Sequence, residues 1–328
     1  MEQGNSQSLE FMQEQAIVAI YNYATTRQFD TALKFLSQIE GKNPFDTHCS
    51  RLIASNGEYH DEFAPRFGDI WKGENLDGKS IQIYSDQGMG DLINMLSYVQ
   101  LMKQRWPTCR IVLNCYAYFS EFERLMKCVK CVDEFVKYHT KCDFFTNTFS
   151  LPTILSGISL PVHYPAHFDL VMTSGIVPPP VKIDIPDLPI CKAIGFSWES
   201  NPENKMLYER KSIHIDAIKG CVLFGNMSTY SLVPNKCPNY AYSLDIKDLY
   251  DTAYAIKFMK CVVSVDTVVL HLAGALGVKT FGLIPEIADP RWGNLETTVW
   301  YPSVTLYRQS GSWSDAISKI RSGIEALS

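Results

Sequence analysis

Apolar and polar residues follow two recurring patterns along most of the chain. One is a short, nearly continuous apolar run typical of a buried strand, and the other is a longer segment with apolar residues at helical spacing. The apolar runs predict strands at residues 79–85, 110–115, 132–138, 192–198, 221–225, 261–263, 279–284 and 304–308. Helical segments lie between most of these runs, at the spacing of βαβ units. This order predicts an α/β fold with parallel sheets.

A proline-rich segment divides the strands into two series. Residues 178–180 are all proline, and Pro186 and Pro189 follow closely. Prolines clustered in this way mark a boundary between folded units. We therefore predict a first domain at residues 71–180 and a second domain at residues 190–328.

Residues 1–70 have a different pattern, which we interpret as a separate helical segment. Apolar residues recur at helical spacing in 11–21 and again in 29–36, and Gly41 and Pro44 end the second helix. The pair resembles one degenerate tetratricopeptide-like hairpin. Because a single repeat cannot form a solenoid, we expect it to cap the first domain.

Length and composition limit the possible classes of protein. At 328 residues, with 46% hydrophobic and 20% charged residues, the chain suits two ordinary globular domains. The net charge is -5, and no basic stripe of the kind that binds nucleic acid is present. No stretch approaches the roughly 20 apolar residues of a transmembrane helix, and the polar first residues do not resemble a signal peptide. We expect a cytoplasmic protein with no transmembrane segment.

The ten cysteines are scattered along the chain, which is typical of reduced thiols and not of a small disulfide-rich domain. Cys128, Cys131, His139 and Cys142 have ligand types and spacings that could serve zinc. The predicted strand at 132–138 separates these ligands further than a compact zinc knuckle permits. We therefore predict no metal site.

The most informative local pattern begins at the predicted strand 261–263. A short polar turn follows and leads into a helix of small and apolar residues. The first N–H groups of a helix have no partner within it, so this junction suits an anion such as a diphosphate. We expect Asp266 to be the N-cap residue, with Thr267 and the N–H groups from Val268 onwards holding the anion. His271 lies one turn further along the same helix face.

This junction also carries a family resemblance. Residues 264–277 read S-V-D-T-V-V-L-H-L-A-G-A-L-G, and shorter matches follow in order at 279–285 (KTFGLIP), 289–292 (DPRW), 300–302 (WYP) and 308–309 (RQ). Together they resemble the C-terminal half of heptosyltransferase-like glycosyltransferases, and more closely that of their relatives fused to tetratricopeptide repeats. The resemblance implies the GT-B architecture, in which two Rossmann-like domains face each other. It also implies a nucleotide-sugar donor and transfer with inversion, and we expect no metal or other cofactor.

The predicted strand 79–85 ends in a glycine turn, at the edge where open α/β sheets bind ligands. Asp91 in this turn is similar to the Asp of the family's S-M-G-D element, so the resemblance implies that it is the catalytic base. The alternative is that Asp91 only caps a helix that starts at Leu92. The turn lacks the third glycine of a dinucleotide fingerprint, and its acidic residue would repel a pyrophosphate. We therefore assign to the acceptor side Gln87, Gly88, Met89 and Gly90.

Further donor-side residues follow from the resemblance and from charge. The family's Asp-Thr and His positions, here Asp266, Thr267 and His271, line the donor site, and a buried structural histidine is the alternative for His271. Lys205 and Arg210 could neutralise the leaving diphosphate, since Arg can contact phosphate through two N–H groups. As an alternative, these two residues and Lys211 form only a solvated loop face.

Relatives often carry a Gln-Lys pair after the strand that corresponds to the one predicted at 221–225. Residues 224–227 read Phe-Gly-Asn-Met here, so we expect that lysine to be absent. Asn226 and Met227 are our candidates for the base pocket. Residues that could be either structural or crevice-lining are Asp289, Arg291, Trp292 and Trp300, and we expect Arg308 to be structural.

These observations favour a glycosyltransferase that moves a sugar from a nucleoside diphosphate to a hydroxyl acceptor. The acceptor could be a glycan, a protein, a small molecule or a modified base. A non-catalytic nucleotide-sugar or protein-binding module is the alternative of a different class. An epimerase or hydrolase acting on the nucleotide sugar is a third interpretation, because fold alone does not define function.

Overall fold

The computed structural model describes residues 68–327, except 86–87, 116, 139, 149–150, 157–175, 204, 224 and 226. The strands are β1 Asp69–Ile70, β2 Ser80–Tyr84, β3 Arg110–Asn114, β4 Glu134–Val136, β5 Phe144–Asn147, β6 Ala193–Ser197, β7 Ser228–Ser231, β8 Cys261–Val265, β9 Thr280–Ile284 and β10 Val304–Arg308. The α-helices are α1 Met89–Arg105, α2 Phe119–Met126, α3 Leu151–Ser156, α4 Lys205–Lys211, α5 Ile215–Val222, α6 Leu249–Lys257, α7 Val268–Ala275 and α8 Ser314–Glu325. A 3-10 helix spans Pro290–Trp292.

The strands form two separate five-stranded sheets. The first has the order β1-β5-β2-β3-β4 and the second the order β10-β9-β8-β6-β7. Every neighbouring pair in both sheets is parallel. The predicted α/β fold with parallel sheets is therefore confirmed.

The second sheet is covered by helices on both faces. In β6, β8 and β9 every residue is buried, as expected for parallel strands with a helical layer on each side. Within β8, Val262 belongs to an apolar cluster with α7, whereas Val263 and Val265 belong to a second cluster with α5 and α8. This double burial explains why the strand reads as a continuous apolar run in the sequence.

The two domains meet through pairs of helices. Helix α1 packs against α7, and α2 packs against α6, and one apolar cluster runs from the first domain into the second. Close approach requires glycine at Gly90, where a Cβ atom would lie 2.5 Å from Cδ2 of His271. On the rim, Arg124 Nη1 forms ion pairs with Asp248 and Asp251 at 3.0 and 2.9 Å. The N-terminus of α1 is thus held directly against the second domain.

One predicted strand is wrong. Residues 221 and 222 belong to α5, and the strand of this unit is β7, further along the chain. Ile218, Cys221 and Val222 are buried on one face of α5, and a short apolar run of this kind cannot be told from a buried strand by periodicity alone. The correction moves the carboxyl end of the strand, and hence the ligand-facing edge, to residues 232–236.

Several other predictions concern the ends of the described region. The helical hairpin predicted within residues 1–70 lies outside it, although Asp69–Ile70 form the edge strand β1 of the first sheet. No helix among the described residues is long and apolar enough to cross a membrane. No cluster of metal-ligating side chains occurs in the described ranges, which do not include His139.

Candidate functional site

The N-termini of α1 and α7 lie together where the two domains meet, and this region is called the crevice below. Each helix begins at the carboxyl end of a central strand, α1 after β2 and α7 after β8. Ligands of open α/β sheets bind at this edge. Since Gly90 at the start of α1 abuts His271 of α7, residues from the two predicted junctions lie at one location.

Asp91 lies in the first turn of α1, which begins at Met89 and not at Leu92. Its Oδ2 accepts a hydrogen bond from the N–H of Gly88 at 3.0 Å, so the helix-capping alternative applies to this oxygen. Its Oδ1 forms an ion pair with Nη2 of Arg291 from the second domain. A carboxylate has about four lone-pair sites, so these two contacts do not use the full acceptor capacity of Asp91.

Arg291 lies where the two domains meet, and its buried side chain joins the Asp91 turn to its own segment. It lies in the 3-10 helix after β9 and is 3% exposed. Its Nε and Nη2 contact the carboxylate of Asp289 at 3.0 and 3.2 Å, and Trp300 donates to its carbonyl oxygen at 2.8 Å. Burial raises the pKa of Asp289, but the charge and hydrogen bonds of Arg291 outweigh it and lower that pKa overall.

Asp266 is not the N-cap of α7, contrary to our prediction. The N-cap is Thr267, and Asp266 is buried at the end of β8, where its Oδ2 lies 2.8 Å from Nζ of Lys211. Burial acts to raise the pKa of Asp266, but Lys211 and neighbouring positive charge lower it to about 2. The interpretation of Lys211 as part of a solvated face is wrong, because its side chain is only 16% exposed.

Thr267 and Val268 form the accessible start of α7. Both are partly exposed, while the residues on either side are buried. The first intrahelical bonds come from the N–H groups of Leu270 and His271 to the carbonyl of Thr267, and the Thr267 hydroxyl lies 3.3 Å from that of Ser264. The earlier N–H groups have no place in the helical ladder, and anion binding at this helix start stays a prediction.

His271 fits the alternative of a buried structural histidine. It is 4% exposed, its Nδ1 lies 3.0 Å from the hydroxyl of Tyr301, and its ring packs on Trp292 at 5.1 Å. Burial and the charge of Arg291 lower the pKa of His271 to about 3. The imidazole is therefore neutral at physiological pH and contributes shape and a hydrogen bond to the crevice wall, not charge.

The other predicted donor-side residues have different positions. Lys205 is exposed at the first turn of α4, roughly 9 Å along the helix axis from Lys211 at 1.5 Å per residue. Arg210 is half-buried near Lys211. Met227 precedes β7, at the amino edge of the sheet and opposite to the crevice, where it packs against an apolar cluster. Asn226 and Gln87 lie outside the described residues.

A further polar cluster at the carboxyl edge escaped the sequence analysis. Glu199 follows β6, and its side chain is 8% exposed. Lys236 follows β7 and contacts Glu199 Oε1 at 2.5 Å, while the hydroxyl of Tyr208 donates to Oε2 at 3.2 Å. A lysine therefore does follow this strand. The misplaced strand at 221–225 concealed it, and a correct strand position would have revealed it.

Comparison with solved structures identifies the fold. No family model and no curated protein matches the chain. The chain is similar to the E. coli heptosyltransferase WaaC with ADP-2-deoxy-2-fluoro heptose, at 13% identity and a TM-score of 0.53 over 76% of this chain and 100% of that chain. It is also similar to the E. coli ADP-heptose lps heptosyltransferase II (14% identity, TM-score 0.51, 76% and 98% covered) and to the glycosyl transferase family 9 protein from Veillonella parvula (12%, 0.51, 76% and 91%). These similarities confirm the predicted GT-B-like fold of two facing Rossmann-like domains.

Proposed function

We propose that this protein is a glycosyltransferase that uses a nucleoside-diphosphate sugar, bound in the crevice between its two domains. The observation that carries the proposal is the accessible start of α7, which faces the α1 turn and has two cationic side chains, Lys211 and Arg291, beside it. Helix N–H groups with nearby cations are a suitable site for a diphosphate. The solved structure of a similar protein with an ADP-heptose analogue supports the same class of donor.

In the proposed reaction, the N–H group of Val268 and the hydroxyl of Thr267 bind the diphosphate, and Lys211 and Arg291 supply counter-charge. Asp91 takes the proton of the acceptor hydroxyl, whose oxygen forms a bond to the anomeric carbon. The bond from that carbon to the diphosphate oxygen breaks, and its electron pair stays with the diphosphate. We propose a single displacement with inversion that needs no metal, since protein groups supply the positive charge.

The proposal leaves the sugar and the hydroxyl acceptor open, and the cytoplasmic location stays a prediction. A hexose and a heptose are both compatible with it. The acceptor classes remain a glycan, a protein, a small molecule and a modified base. They are separated by the transfer assay described below.

A non-catalytic nucleotide-sugar-binding module is the second candidate. The observation in its favour is that both carboxylate oxygens of Asp91 have partners within the protein, the N–H of Gly88 and the guanidinium of Arg291. Binding of a nucleotide sugar with no turnover in the presence of any acceptor would favour it. Consumption of the donor without an acceptor would instead favour a hydrolase or epimerase.

The first test is thermal shift and calorimetry with ADP, UDP, GDP, CMP and TDP, with and without EDTA. The variant Val268→Pro removes one N–H group at the first helical position, where proline is tolerated. The extended backbone of Thr267, with φ -140 and ψ 177, is compatible with a following proline. We expect Val268→Pro to weaken nucleotide binding roughly 10- to 100-fold, the value of a hydrogen bond to a charged group.

Val268→Ala is the matched control, because it also removes the branched valine side chain but keeps the N–H group. Equal binding by Val268→Pro and Val268→Ala would contradict the anion site at α7. Donor turnover is then measured by mass spectrometry with the four acceptor classes. Asp91→Asn should lose transfer without weakening nucleotide binding, and full activity in this variant would exclude Asp91 as the base.

A further inference from the structure

Charged side chains between the domains are already paired with one another. Lys211 forms an ion pair with Asp266. Arg291 forms ion pairs with Asp289 of its own segment and with Asp91 of the other domain. Two cations thus face three carboxylates, and the neutral His271 adds no charge. A diphosphate bound here therefore meets cations that already have carboxylate partners.

The two partners of Arg291 differ in how they are held. Asp289 is two residues away in sequence, and it also accepts a hydrogen bond from the backbone N–H of Arg291 at 3.0 Å. Asp91 is 200 residues away and belongs to the opposite domain. The Asp289 contact is therefore local and independent of the crevice, whereas the Asp91 contact depends on how the two domains meet. Of the two, the Asp91 contact is the exchangeable one.

We propose that Arg291 exchanges partners during the reaction, from Asp91, which it contacts in the structure, to the diphosphate of the bound donor. This inference rests on the proposed function. Asp289 keeps the guanidinium anchored through Nε while Nη2 turns to a phosphate oxygen. The exchange frees Oδ1 of Asp91 for the acceptor hydroxyl at the moment when the donor is in place.

The charges balance over the transfer step. Asp91 gains the acceptor's proton and becomes neutral, while the diphosphate gains the electron pair of the broken bond and one negative charge. Arg291 is then paired with the leaving diphosphate, whose negative charge has increased. Donor binding and base release are coupled by one residue, which makes Arg291 a catalytic residue and not only a link between the domains.

The test is a double-mutant cycle on nucleotide affinity, measured by calorimetry with whichever nucleoside diphosphate binds the wild type. Asp91→Asn removes the competitor for Arg291, so we expect binding to tighten about 10-fold, which corresponds to about 1.4 kcal/mol. Arg291→Gln should weaken binding by a similar factor. In the double variant, Asp91→Asn should have no further effect, because the competition acts only through Arg291.

Direct repulsion between Asp91 and the diphosphate predicts a different outcome. Asp91→Asn would then tighten binding equally with Arg291 and with Gln at position 291, and such additivity would overturn the exchange. Arg308→Gln is the matched control. Arg308 donates to the carbonyl groups of Trp292 and Leu295 at 2.8 and 3.2 Å, so it supports the same segment without facing Asp91. The tightening by Asp91→Asn should persist in this control background.

A replacement variant and the binding of the wild type separate failure of the exchange from failure of the proposed function. If Arg291→Gln fails to fold, Arg291→Lys replaces it, because lysine keeps the charge without the bidentate geometry and should give an intermediate coupling. Absence of binding by the wild type to every nucleoside diphosphate would overturn both the proposed function and the exchange. Binding with additive variants would overturn the exchange alone.

Discussion

Replacing Lys211 by methionine should expose how strongly the buried carboxylate of Asp266 depends on it. The two charges lie 2.8 Å apart, which at an effective dielectric constant of about 20 gives a gross attraction of roughly 6 kcal/mol. Part of this attraction offsets the free-energy cost of burying the Asp266 carboxylate. The fall of its pKa from 3.8 to about 2 leaves a net favourable balance of about 2 kcal/mol at 1.36 kcal/mol per pKa unit.

Without Lys211, burial is opposed mainly by the charge of Arg291, and we expect the pKa of Asp266 to rise above its ordinary value. At pH 7 we expect a loss of about 3–5 kcal/mol in the free energy of unfolding, the usual cost of breaking a buried pair. Between pH 3.8 and this raised pKa, the carboxyl of Asp266 is protonated in the native variant but ionised in the unfolded chain. The loss should therefore shrink by up to about 1.4 kcal/mol for each pH unit below 7.

The assay is urea unfolding at pH 7 and pH 5, with Asp266→Asn combined with Lys211→Met to isolate the carboxylate. In the Asp266→Asn background, the effect of Lys211→Met should be smaller and independent of pH. Lys247→Met is the control, because its ion pair with Asp245 has side chains 73% and 86% exposed, and it should leave the unfolding midpoint unchanged. The reasoning is refuted if Lys211→Met costs the same at both pH values.

Three further changes address the contact between the domains. Gly90→Ala should force α1 away from His271, since the added Cβ atom would lie 2.5 Å from the imidazole ring. We expect a loss of about 1–3 kcal/mol in the free energy of unfolding and slower transfer. Gly220→Ala is the control and should be tolerated, because its nearest neighbour, Ile317, is 3.4 Å away. Tyr301→Phe should cost about 1 kcal/mol in thermal unfolding, because it removes the partner of His271 Nδ1. The pKa of His271 falls from 6.5 in the unfolded chain to about 3 in the folded protein. The neutral imidazole therefore makes its full contribution to stability above pH 6.5, and this contribution decreases as the pH falls below 6.5. Between pH 6.5 and 5 the wild type should lose about 2 kcal/mol that His271→Gln does not lose, and equal losses in acid unfolding would contradict the buried neutral imidazole.

Most of the fold could be predicted because each central strand is buried on both faces. Such strands read as apolar runs, and the prediction at 279–284 matches β9 almost residue for residue. The prediction at 304–308 also matches β10, although this edge strand is only partly buried. The same property caused the error at 221–225, where a buried helix face also places apolar residues together. Apolar runs indicate burial reliably, but they do not by themselves distinguish a short helix from a short strand.

The candidate site was predictable only in its local parts. The position of Thr267 at a helix start and of Asp91 after a glycine turn follows from neighbouring residues. The sequence does not indicate that Lys211 rather than Lys205 contacts Asp266, because this depends on which end of α4 lies beside β8. The pairing of Asp91 with Arg291 depends on how two separately folded domains meet, and no local pattern encodes that.

A shift of one residue in the N-cap changes the electrostatic account of the whole crevice. With Asp266 as the cap, its charge would be satisfied by helix N–H groups, and Lys211 would be free for a ligand. With Thr267 as the cap, those N–H groups are left for an anion, and Asp266 instead neutralises Lys211. The same neutralisation occurs at Arg291 through Asp289 and Asp91. Each of these two cations has a carboxylate partner, so a diphosphate would compete with carboxylates for them, and the contact that the opposite domain provides is the one best placed to change.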